Sequence, residues 1–276
     1  MQEFDWKNNV DNKEEKIKLA KRMAKRVKDG DVIGFGSGST SYLTVVEIAN
    51  RVKEEKLNIK AIPTSNIIED LCKELNIETI DLEHAKPDWC FDGADEVDSH
   101  NWLIKGMGAA LYKEKMNIKN CEENYILVDN SKFVERLGEK HPVPIEVKKD
   151  EINVVQEEVK KLGATKLEIR KSNTNEGYLI TDNGNYILHA WFDKIEANLE
   201  EKLVQIDGVL ESGLFIGYDI IIIKWKLETQ LQFEVAFLVF HFPILFALCS
   251  FVILFKVFCT FKYFTFKTFK SISSIL

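Results

Sequence analysis

Short apolar runs alternate with amphipathic segments along the first 140 residues of the chain. Residues 13–28 place apolar side chains at helical spacing, and residues 31–35 form an apolar run that leads directly into a glycine-rich segment. The order of strand and then helix returns at residues 58–62 and 66–75. Such alternation predicts a parallel sheet covered by helices. Further elements are predicted as strands at residues 87–91 and 125–128 and a helix at residues 108–118.

The pattern changes after the His141-Pro142-Val143-Pro144 segment, where two helical periods separate four strand-like runs. One tight turn, at residues 182–185, is typical of a hairpin. The resulting β-α-β-β-α-β order predicts a small ferredoxin-like α+β domain. Its predicted elements are strands at residues 145–147, 166–170, 178–192 and 208–215, of which 178–192 is bent at residues 182–185, and helices at residues 150–162 and 195–206.

Together the two patterns predict an α/β fold class: a Rossmann-like parallel sheet domain with a second, small ferredoxin-like α+β domain. The predicted boundaries are residues 1–140 for the first domain and 141–217 for the second. The apolar run at residues 218–226 is predicted to return as a strand to the first sheet.

The last fifty residues, 227–276, differ in composition from the rest of the chain. All fourteen glycines lie at or before Gly217, whereas twelve of the eighteen phenylalanines lie between Phe233 and Phe269. Residues 235–255 are apolar over a length that spans a bilayer, and the lysines after them suggest a cytoplasmic C-terminus. The alternative is that the segment is not a selected domain. Translation through an intron or past a frameshift in an AT-rich gene would produce such a sequence. The repetitive composition favours this alternative.

Charge and cysteine usage exclude several classes of function. The formal net charge of −7 argues against a nucleic-acid partner, because backbone phosphates require a basic surface. The five cysteines lie at scattered spacings and are interpreted as reduced thiols of an intracellular protein. Residues 1–15 are polar and acidic, without the apolar centre of a secretory signal. We therefore expect a cytoplasmic protein.

A compact glycine and hydroxyl segment, Gly36-Ser37-Gly38-Ser39-Thr40, follows the first predicted strand. Converging backbone N–H groups, a helix N-terminus and hydroxyl donors suit a phosphate monoester. The segment is neither a Walker loop nor a dinucleotide fingerprint. The alternative is an ordinary turn in which Ser39 or Thr40 caps the helix.

Acids and lysines concentrate in residues 92–115, at the predicted carboxyl edge of the sheet, where open α/β proteins bind ligands. Asp92 and Asp95 suit acid–base work and hydroxyl binding, Lys105 suits an oxyanion, and Glu114 suits a base. The alternatives are a local aspartate turn, a solvated lysine and a surface glutamate in an ion pair. The histidines show no metal-ligand spacing, so we expect a metal-free mechanism without a cofactor.

As an ordered series, these motifs resemble ribose-5-phosphate isomerase of the A type. The resemblance covers residues 13–217 and includes the Gly-Ser-Gly-Ser-Thr segment, DGADEVD, KGMGAAL-x-KEK, VDNSK, HPVPIEV, TDNGN and GLF. It implies the interconversion of D-ribose 5-phosphate and D-ribulose 5-phosphate through an enediolate, in the non-oxidative pentose phosphate pathway. The chain departs from the family at its C-terminus, where members usually end after a short strand.

The resemblance also implies roles for individual residues. Glu114 corresponds to the base that moves the proton between C2 and C1, Asp92 to the acid/base of ring opening, and Lys105 to the partner of the oxyanion. The substrate-binding residues that it implies are Lys16, Ser37, Gly38, Ser39, Thr40, Gly93, Ala94, Asp95, Gly106, Met107, Gly108 and Lys132.

The expected ligand is a small sugar phosphate, and the alternative function is a non-catalytic sugar-phosphate sensor with the same fold. We also expect a homo-oligomer, either a dimer or a tetramer. Contact with a membrane is expected only if the C-terminal tail is genuine.

Overall fold

A computed structural model describes residues 10–173 and 177–224 of the chain. These residues belong to one compact unit, Met1–Trp225. The strands in chain order are β1 Val32–Phe35, β2 Lys60–Pro63, β3 Glu78–Thr79, β4 Trp89–Asp92, β5 Glu96–Val97, β6 Leu103–Ile104, β7 Asn124–Val128, β8 Val143–Val147, β9 Ala164–Ile169, β10 Tyr186–Phe192, β11 Val209–Ser212, β12 Leu214–Phe215 and β13 Ile221–Lys224. The α-helices are α1 Lys13–Ala24, α2 Gly38–Glu55, α3 Asn66–Glu74, α4 Leu111–Lys119, α5 Ile152–Lys161 and α6 Leu199–Val204.

The largest sheet has six parallel strands in the order β13-β7-β4-β1-β2-β3. Its central strands are apolar because helices cover them, and the rings of Phe35 and Phe91 lie 5.1 Å apart between neighbouring strands. Helix α3 begins where the Ser65 hydroxyl accepts a hydrogen bond from the Ile68 N–H. From β1 the sheet continues through β2 and β3 on one side and through β4 and β7 on the other, so the chain changes direction across the sheet between β1 and β4. At such a point the carboxyl ends of the two strands are open to a ligand.

A second sheet of four antiparallel strands has the order β11-β8-β10-β9. With α5 and α6 inserted in the chain, this is the ferredoxin-like arrangement. Its core contains Ile145, Val155, Leu188 and Leu203, all fully buried. The predicted fold class, a parallel α/β sheet with a separate antiparallel sheet, is therefore confirmed.

The predicted bounds of two strands in this second region, residues 178–192 and 208–215, were wrong. The turn at residues 181–185, closed by a hydrogen bond from the Gly184 N–H to the Thr181 carbonyl, confines β10 to Tyr186–Phe192. The predicted strand 208–215 divides at Gly213, whose carbonyl accepts from the Lys105 N–H while its own N–H donates to the Pro144 carbonyl.

This division at Gly213 creates a third, small sheet that the pattern did not predict. Strand β12 continues away from β11 and pairs with β6, which in turn pairs with β5. A Cβ at Gly213 would lie 2.2 Å from the Lys105 carbonyl oxygen, so only glycine fits this crossing. The three short strands hold the loop around Lys105 against the second region.

Strand β13 pairs in parallel with β7 at the edge of the large sheet, within the segment 218–226. The boundary between domains near residue 140 stays a prediction. The predictions for the tail, residues 227–276, lie outside the described residues. Within the described ranges, no helix combines the length and the apolar character that crossing a membrane requires.

Candidate active site

Asp92 is the last residue of β4 and lies at the centre of a cluster of polar groups at the carboxyl edge of the large sheet. Its Oδ2 accepts a hydrogen bond from Lys105 Nζ at 2.8 Å. Its Oδ1 accepts from the Gly93 N–H at 2.7 Å, from the Ser37 N–H at 3.1 Å and from the Ser41 hydroxyl at 3.1 Å. These contacts join three separate segments, so the simple interpretation of Asp92 as a local turn residue is wrong.

Gly36 makes this approach possible. A Cβ at this position would lie 2.2 Å from the Asp92 carboxyl carbon and 2.6 Å from its Cα. The Gly36 N–H also donates to the Phe91 carbonyl at 2.9 Å. The first glycine of the hydroxyl segment is therefore required by packing against Asp92.

Lys105 lies in the loop between β6 and α4, and only 3% of it is exposed. Besides Asp92, its ammonium donates to the Gly93 carbonyl at 2.7 Å. Burial by itself lowers the pKa of Lys105, but the carboxylates of Asp92 and Glu114 outweigh it and hold the pKa above its ordinary value. Lys105 is a buried, charged ammonium, so the interpretation as a solvated lysine is wrong.

Glu114 lies in the first turn of α4 and is 4% exposed. Its Oε2 is 3.0 Å from Lys105 Nζ, and this buried oxygen has no aligned hydrogen-bond donor among the described residues. Burial, with the neighbouring Asp92 carboxylate, raises the pKa of Glu114 to about 8, against the opposing effect of Lys105. Glu114 is therefore no surface ion-pair residue; it is a carboxylate that gains and loses a proton near neutral pH.

The pKa of Asp92 is also raised, because burial outweighs the Lys105 ammonium and the hydrogen bonds that it accepts. Asp92, Lys105 and Glu114 thus form a buried group of two carboxyls around one ammonium. Two carboxyls that share one cation cannot both ionise freely, so protons bind to this group more readily than to isolated acids.

The hydroxyl segment forms the start of α2. Ser37 occupies the N-cap position, but neither it nor its neighbours act as a simple cap: the Ser37 hydroxyl bonds to that of Thr64 at 2.7 Å, and Ser39 accepts from Lys16 Nζ at 3.0 Å. Lys16 is 6% exposed, and burial lowers its pKa although Asp129 opposes this effect. The segment therefore faces an ammonium instead of being an isolated turn.

The loop from Lys105 to α4 is shaped by its own backbone. Gly106 has a φ of +105°, a conformation that favours glycine. The Asp95 carboxylate accepts from the Met107 N–H at 3.0 Å, which ties this loop to the one after β4. Met107 contributes its backbone, since its carbonyl accepts from Arg170, and it is not one of the residues that line the cleft.

These groups surround an open cleft of about 470 Å³, a volume that includes some solvent at its mouth. All the predicted site residues line it except Asp92, which lies immediately behind it, and Met107. The lining residues are Lys16, Ser37, Gly38, Ser39, Thr40, Gly93, Ala94, Asp95, Lys105, Gly106, Gly108, Glu114 and Lys132.

Two polar residues of the site were not predicted. Ser41 donates to Asp92, and Thr64 bonds to the Ser37 hydroxyl and donates to the Phe35 carbonyl at 3.1 Å. Both had a signal in the sequence: Ser41 continues the hydroxyl segment, and Thr64 follows a predicted strand at the same sheet edge.

The geometry combines a carboxylate of raised pKa, a fixed ammonium beside it, and hydroxyls with two lysines at the other side of one cleft. A base beside a cation suits removal of a C–H proton next to a carbonyl, because the cation stabilises the oxyanion that forms. Hydroxyls, a helix N-terminus and lysines suit a phosphate group.

The sequence profile of ribose 5-phosphate isomerase A (phosphoriboisomerase A) matches residues 60–225. Ribose-5-phosphate isomerase A of Methanocaldococcus jannaschii is 39% identical over 219 residues, which cover 79% of this chain and 96% of the relative. The solved structure of that enzyme has a TM-score of 0.74 at 40% identity and covers 77% of this chain and 95% of its own.

A solved D-ribose-5-phosphate isomerase in complex with phospho-erythronic acid also has a TM-score of 0.74, at 36% identity, and covers 78% of this chain and 96% of its own. The relatives cover more than three quarters of this chain and nearly all of their own length. The chain therefore belongs to the ribose 5-phosphate isomerase A family.

Proposed function

We propose that this protein interconverts D-ribose 5-phosphate and D-ribulose 5-phosphate through an enediolate, as an aldose–ketose isomerase. The observation that carries the proposal is the contact of 3.0 Å between Glu114 Oε2 and Lys105 Nζ inside a cleft that also contains the hydroxyl segment. The phospho-erythronic acid bound in a related enzyme, a phosphorylated sugar acid, supports a sugar phosphate as the ligand.

In the proposed reaction, the Glu114 carboxylate removes the proton from C2 of the open-chain aldose and returns it to C1. The hydroxyl proton on O2 passes to O1 in the same conversion, so the C1 carbonyl becomes a hydroxyl and the C2 hydroxyl becomes the carbonyl. The electrons of the broken C–H bond pass to the carbonyl oxygen, and the resulting enediolate is stabilised by the Lys105 ammonium. A pKa of about 8 keeps Glu114 partly ionised at neutral pH and makes it a stronger base than a solvated glutamate.

Asp92 and Asp95 have roles other than the transfer of the C2 proton. Asp92, held by Lys105, by the Ser37 and Gly93 N–H groups and by the Ser41 hydroxyl, acts as the acid/base of ring opening. Asp95 lines the cleft and binds substrate hydroxyls with its free acceptor positions. The phosphate lies at the start of α2, among Ser37, Gly38, Ser39 and Thr40, and between the ammonium groups of Lys16 and Lys132.

The direct test is turnover of ribose 5-phosphate by the purified protein, Glu114→Gln and Glu157→Gln, with solvent deuterium to follow exchange at C2. We expect the unaltered protein and Glu157→Gln to isomerise ribose 5-phosphate. In Glu114→Gln we expect the rate of turnover to fall by about 10³-fold or more. Glu157 is a matched control because it is an exposed glutamate of α5, paired with Lys160 on the surface. Binding of ribose 5-phosphate without turnover would favour the sensor alternative.

We further propose a cytoplasmic, metal-independent enzyme of the non-oxidative pentose phosphate pathway, with a boundary between its domains near residue 140. Inclusion of a chelator in the assay tests metal independence, and light scattering tests the expected dimer or tetramer. Exposed apolar side chains at Tyr178 and Ile180 support self-association, because large exposed hydrophobic groups are frequent at interfaces.

A further inference from the structure

A second buried lysine, Lys115, follows the proposed base directly in the sequence. It is completely buried, and its ammonium donates to Glu200 at 2.7 Å, to Glu211 at 3.1 Å and to the Leu214 carbonyl at 2.6 Å. All three hydrogens of the ammonium therefore have acceptors. These acceptors come from α6, β11 and β12, so one side chain joins α4 to three later elements.

The two carboxylates of this cluster are held firmly as well. Glu200 accepts from the Tyr218 hydroxyl at 2.8 Å and, with its other oxygen, from the Ile216 N–H at 2.8 Å. Glu211 accepts from the Ser212 N–H at 3.0 Å, and its second oxygen lies 3.2 Å from Lys119. All four carboxylate oxygens of the cluster therefore have a hydrogen-bond or ion-pair partner.

The ring of Phe215 connects this cluster to the site. Lys115 Nζ lies 4.6 Å from the centre of the ring, and Lys105 Nζ lies 5.6 Å from it. Both distances are within the range of a cation–π contact. Phe215 is completely buried, so its position is set by the strand β12 that carries it. The catalytic ammonium and Lys115 therefore share one fixed contact.

Stability alone is a weak explanation for such a cluster. Buried ion pairs can often be replaced by apolar side chains of similar size without loss of stability, because the desolvation of the charges offsets their attraction. The position of Lys115 is more informative. On a helix, successive side chains point about 100° apart, so Lys115 holds the side of α4 next to the one that presents Glu114. A helix held there cannot rotate or slide without moving the Glu114 carboxylate.

We propose that Lys115 is a positioning residue for the proton-transfer step: with Glu200, Glu211 and Phe215 it forms a brace that fixes Glu114 and Lys105 at their contact distance. The inference rests on the proposed isomerase function, because it assigns Lys115 to that reaction. A displacement of about 1 Å at a reacting group is enough to lower a rate by about 10²-fold, so a brace of this kind has a measurable effect.

The test compares Lys115→Met with Lys119→Met. Methionine is one atom shorter than lysine and keeps an unbranched apolar side chain, but it removes the charge and the three hydrogen bonds. We expect Lys115→Met to lower kcat by about 10-fold to 100-fold while KM changes less than about threefold, because the cleft residues that bind substrate are retained. Lys119 is the matched control: it lies on the same helix and contacts the same Glu211, but its side chain is half exposed. We expect its kcat to stay within about twofold of the original value.

Tyr218→Phe is a second variant that keeps every charge and removes only the hydroxyl bond to Glu200. It is expected to fold and to lower kcat by about twofold to threefold. Folding of each variant is followed by its urea midpoint. If Lys115→Met is folded and keeps the original kcat, the proposal is overturned. It is equally overturned if Lys115→Met does not fold and Tyr218→Phe keeps the original kcat.

A readout that does not depend on turnover separates this inference from the proposed function. The pKa of Glu114 is measured by carbon NMR of labelled glutamate, with Glu114→Gln to assign the signal. In Lys115→Met this pKa is expected to rise, because a longer distance to Lys105 stabilises the carboxylate less, while Asp92 and Asp95 still oppose its ionisation. Failure of the unaltered protein to convert ribose 5-phosphate would reject the function alone. An unchanged pKa of Glu114 in folded Lys115→Met would reject the brace.

Discussion

Two buried lysines ten positions apart, Lys105 and Lys115, each contact two carboxylates, yet their surroundings differ in the way that matters for chemistry. The group around Lys105 lines an open cleft and includes a carboxylate oxygen of Glu114 without an aligned donor. The carboxylates around Lys115 accept from backbone N–H groups and a hydroxyl, and neither of them lines the cleft.

The comparison also extends to charge. Asp92 and Glu114 share one ammonium, whereas Glu211 has a second cation nearby in Lys119. An excess of carboxyl groups raises the affinity for protons, which is useful to a base and of no use to a structural link. One lysine with two carboxylates therefore forms a group with an excess of acids in one place and a fully paired link in the other, depending on charge balance and access to the cleft.

Removal of the cation from the open group is expected to have the largest effect. In Lys105→Met, two buried carboxyls lose their shared partner, and the free energy of unfolding should fall by about 3–5 kcal/mol at neutral pH. Loss of the oxyanion partner should also lower kcat by about 10²–10³-fold. Urea unfolding and a ribulose 5-phosphate assay measure the two effects.

The control for this change is Lys119→Met, because Glu211 keeps Lys115 as a partner in that variant. Its free energy of unfolding should change by no more than about 1 kcal/mol. A Lys105→Met protein with kcat within tenfold of the original would contradict the role of Lys105 in the open group.

The second largest difference between the two groups is expected in the pH dependence of activity. Because the pKa of Glu114 is raised to about 8, kcat/KM of the free enzyme should rise about tenfold per pH unit below that value and level off above it. The residual activity of Glu114→Gln should lack this dependence. A value of kcat/KM that does not change between about pH 6 and about pH 8 would exclude Glu114 as the base.

The raised pKa has a consequence for stability with a defined sign. Between the ordinary pKa of 4.5 and about 8, the folded state binds a proton at Glu114 that the unfolded state has released. The contribution of Glu114 to the free energy of unfolding is therefore complete below the lower value and is lost as the pH rises through the upper one. The urea midpoint of the original protein should therefore fall relative to that of Glu114→Gln as the pH rises from 4.5 to about 8. Midpoints that change in parallel with pH would show that the pKa of Glu114 is not raised.

The smallest effect is expected for Ser41→Ala. This variant removes one of several donors to Asp92, and the Ser37 and Gly93 N–H groups remain. We expect a loss of about 1 kcal/mol in stability and a decrease of about fivefold in kcat/KM. Thr44→Val serves as the control, because the Thr44 hydroxyl donates to the Thr40 carbonyl on the same helix without touching Asp92. Equal effects of the two substitutions would show that Asp92 does not depend on Ser41.

Prediction from the sequence was most successful for the parallel sheet. Apolar runs at residues 31–35 and 125–128 match β1 and β7 to within a residue or two, because buried parallel strands are continuously apolar. It was least successful at residues 208–215, where one apolar run supplies strands to two different sheets. Nothing in a local pattern separates these halves; the close approach of Gly213 to Lys105 and Pro144 does.

The candidate site shows the same division. The lysine, the acids and the hydroxyl segment were visible in the sequence because their types and order match a reaction and a family. The alternative interpretations of Lys105 as a solvated lysine and of Glu114 as a surface glutamate were excluded only by the burial of both side chains, since most lysines and glutamates are exposed. Ser41 and Thr64 were missed because hydroxyls are common and their partners lie far away in the chain.

The sequence by itself determined the order of the longer strands and helices, the family and the residues of the cleft, because these depend on local periodicity and on residue types in a fixed order. Only the tertiary structure decided which buried lysine lines the cleft and which lies outside it. Lys105 and Lys115 belong to one short segment, and the difference between them comes from Asp92, Glu200 and Glu211, which approach from other parts of the chain. Burial and charge balance are properties of that assembly, so they set the pKa of Glu114 where the sequence could only name the residue.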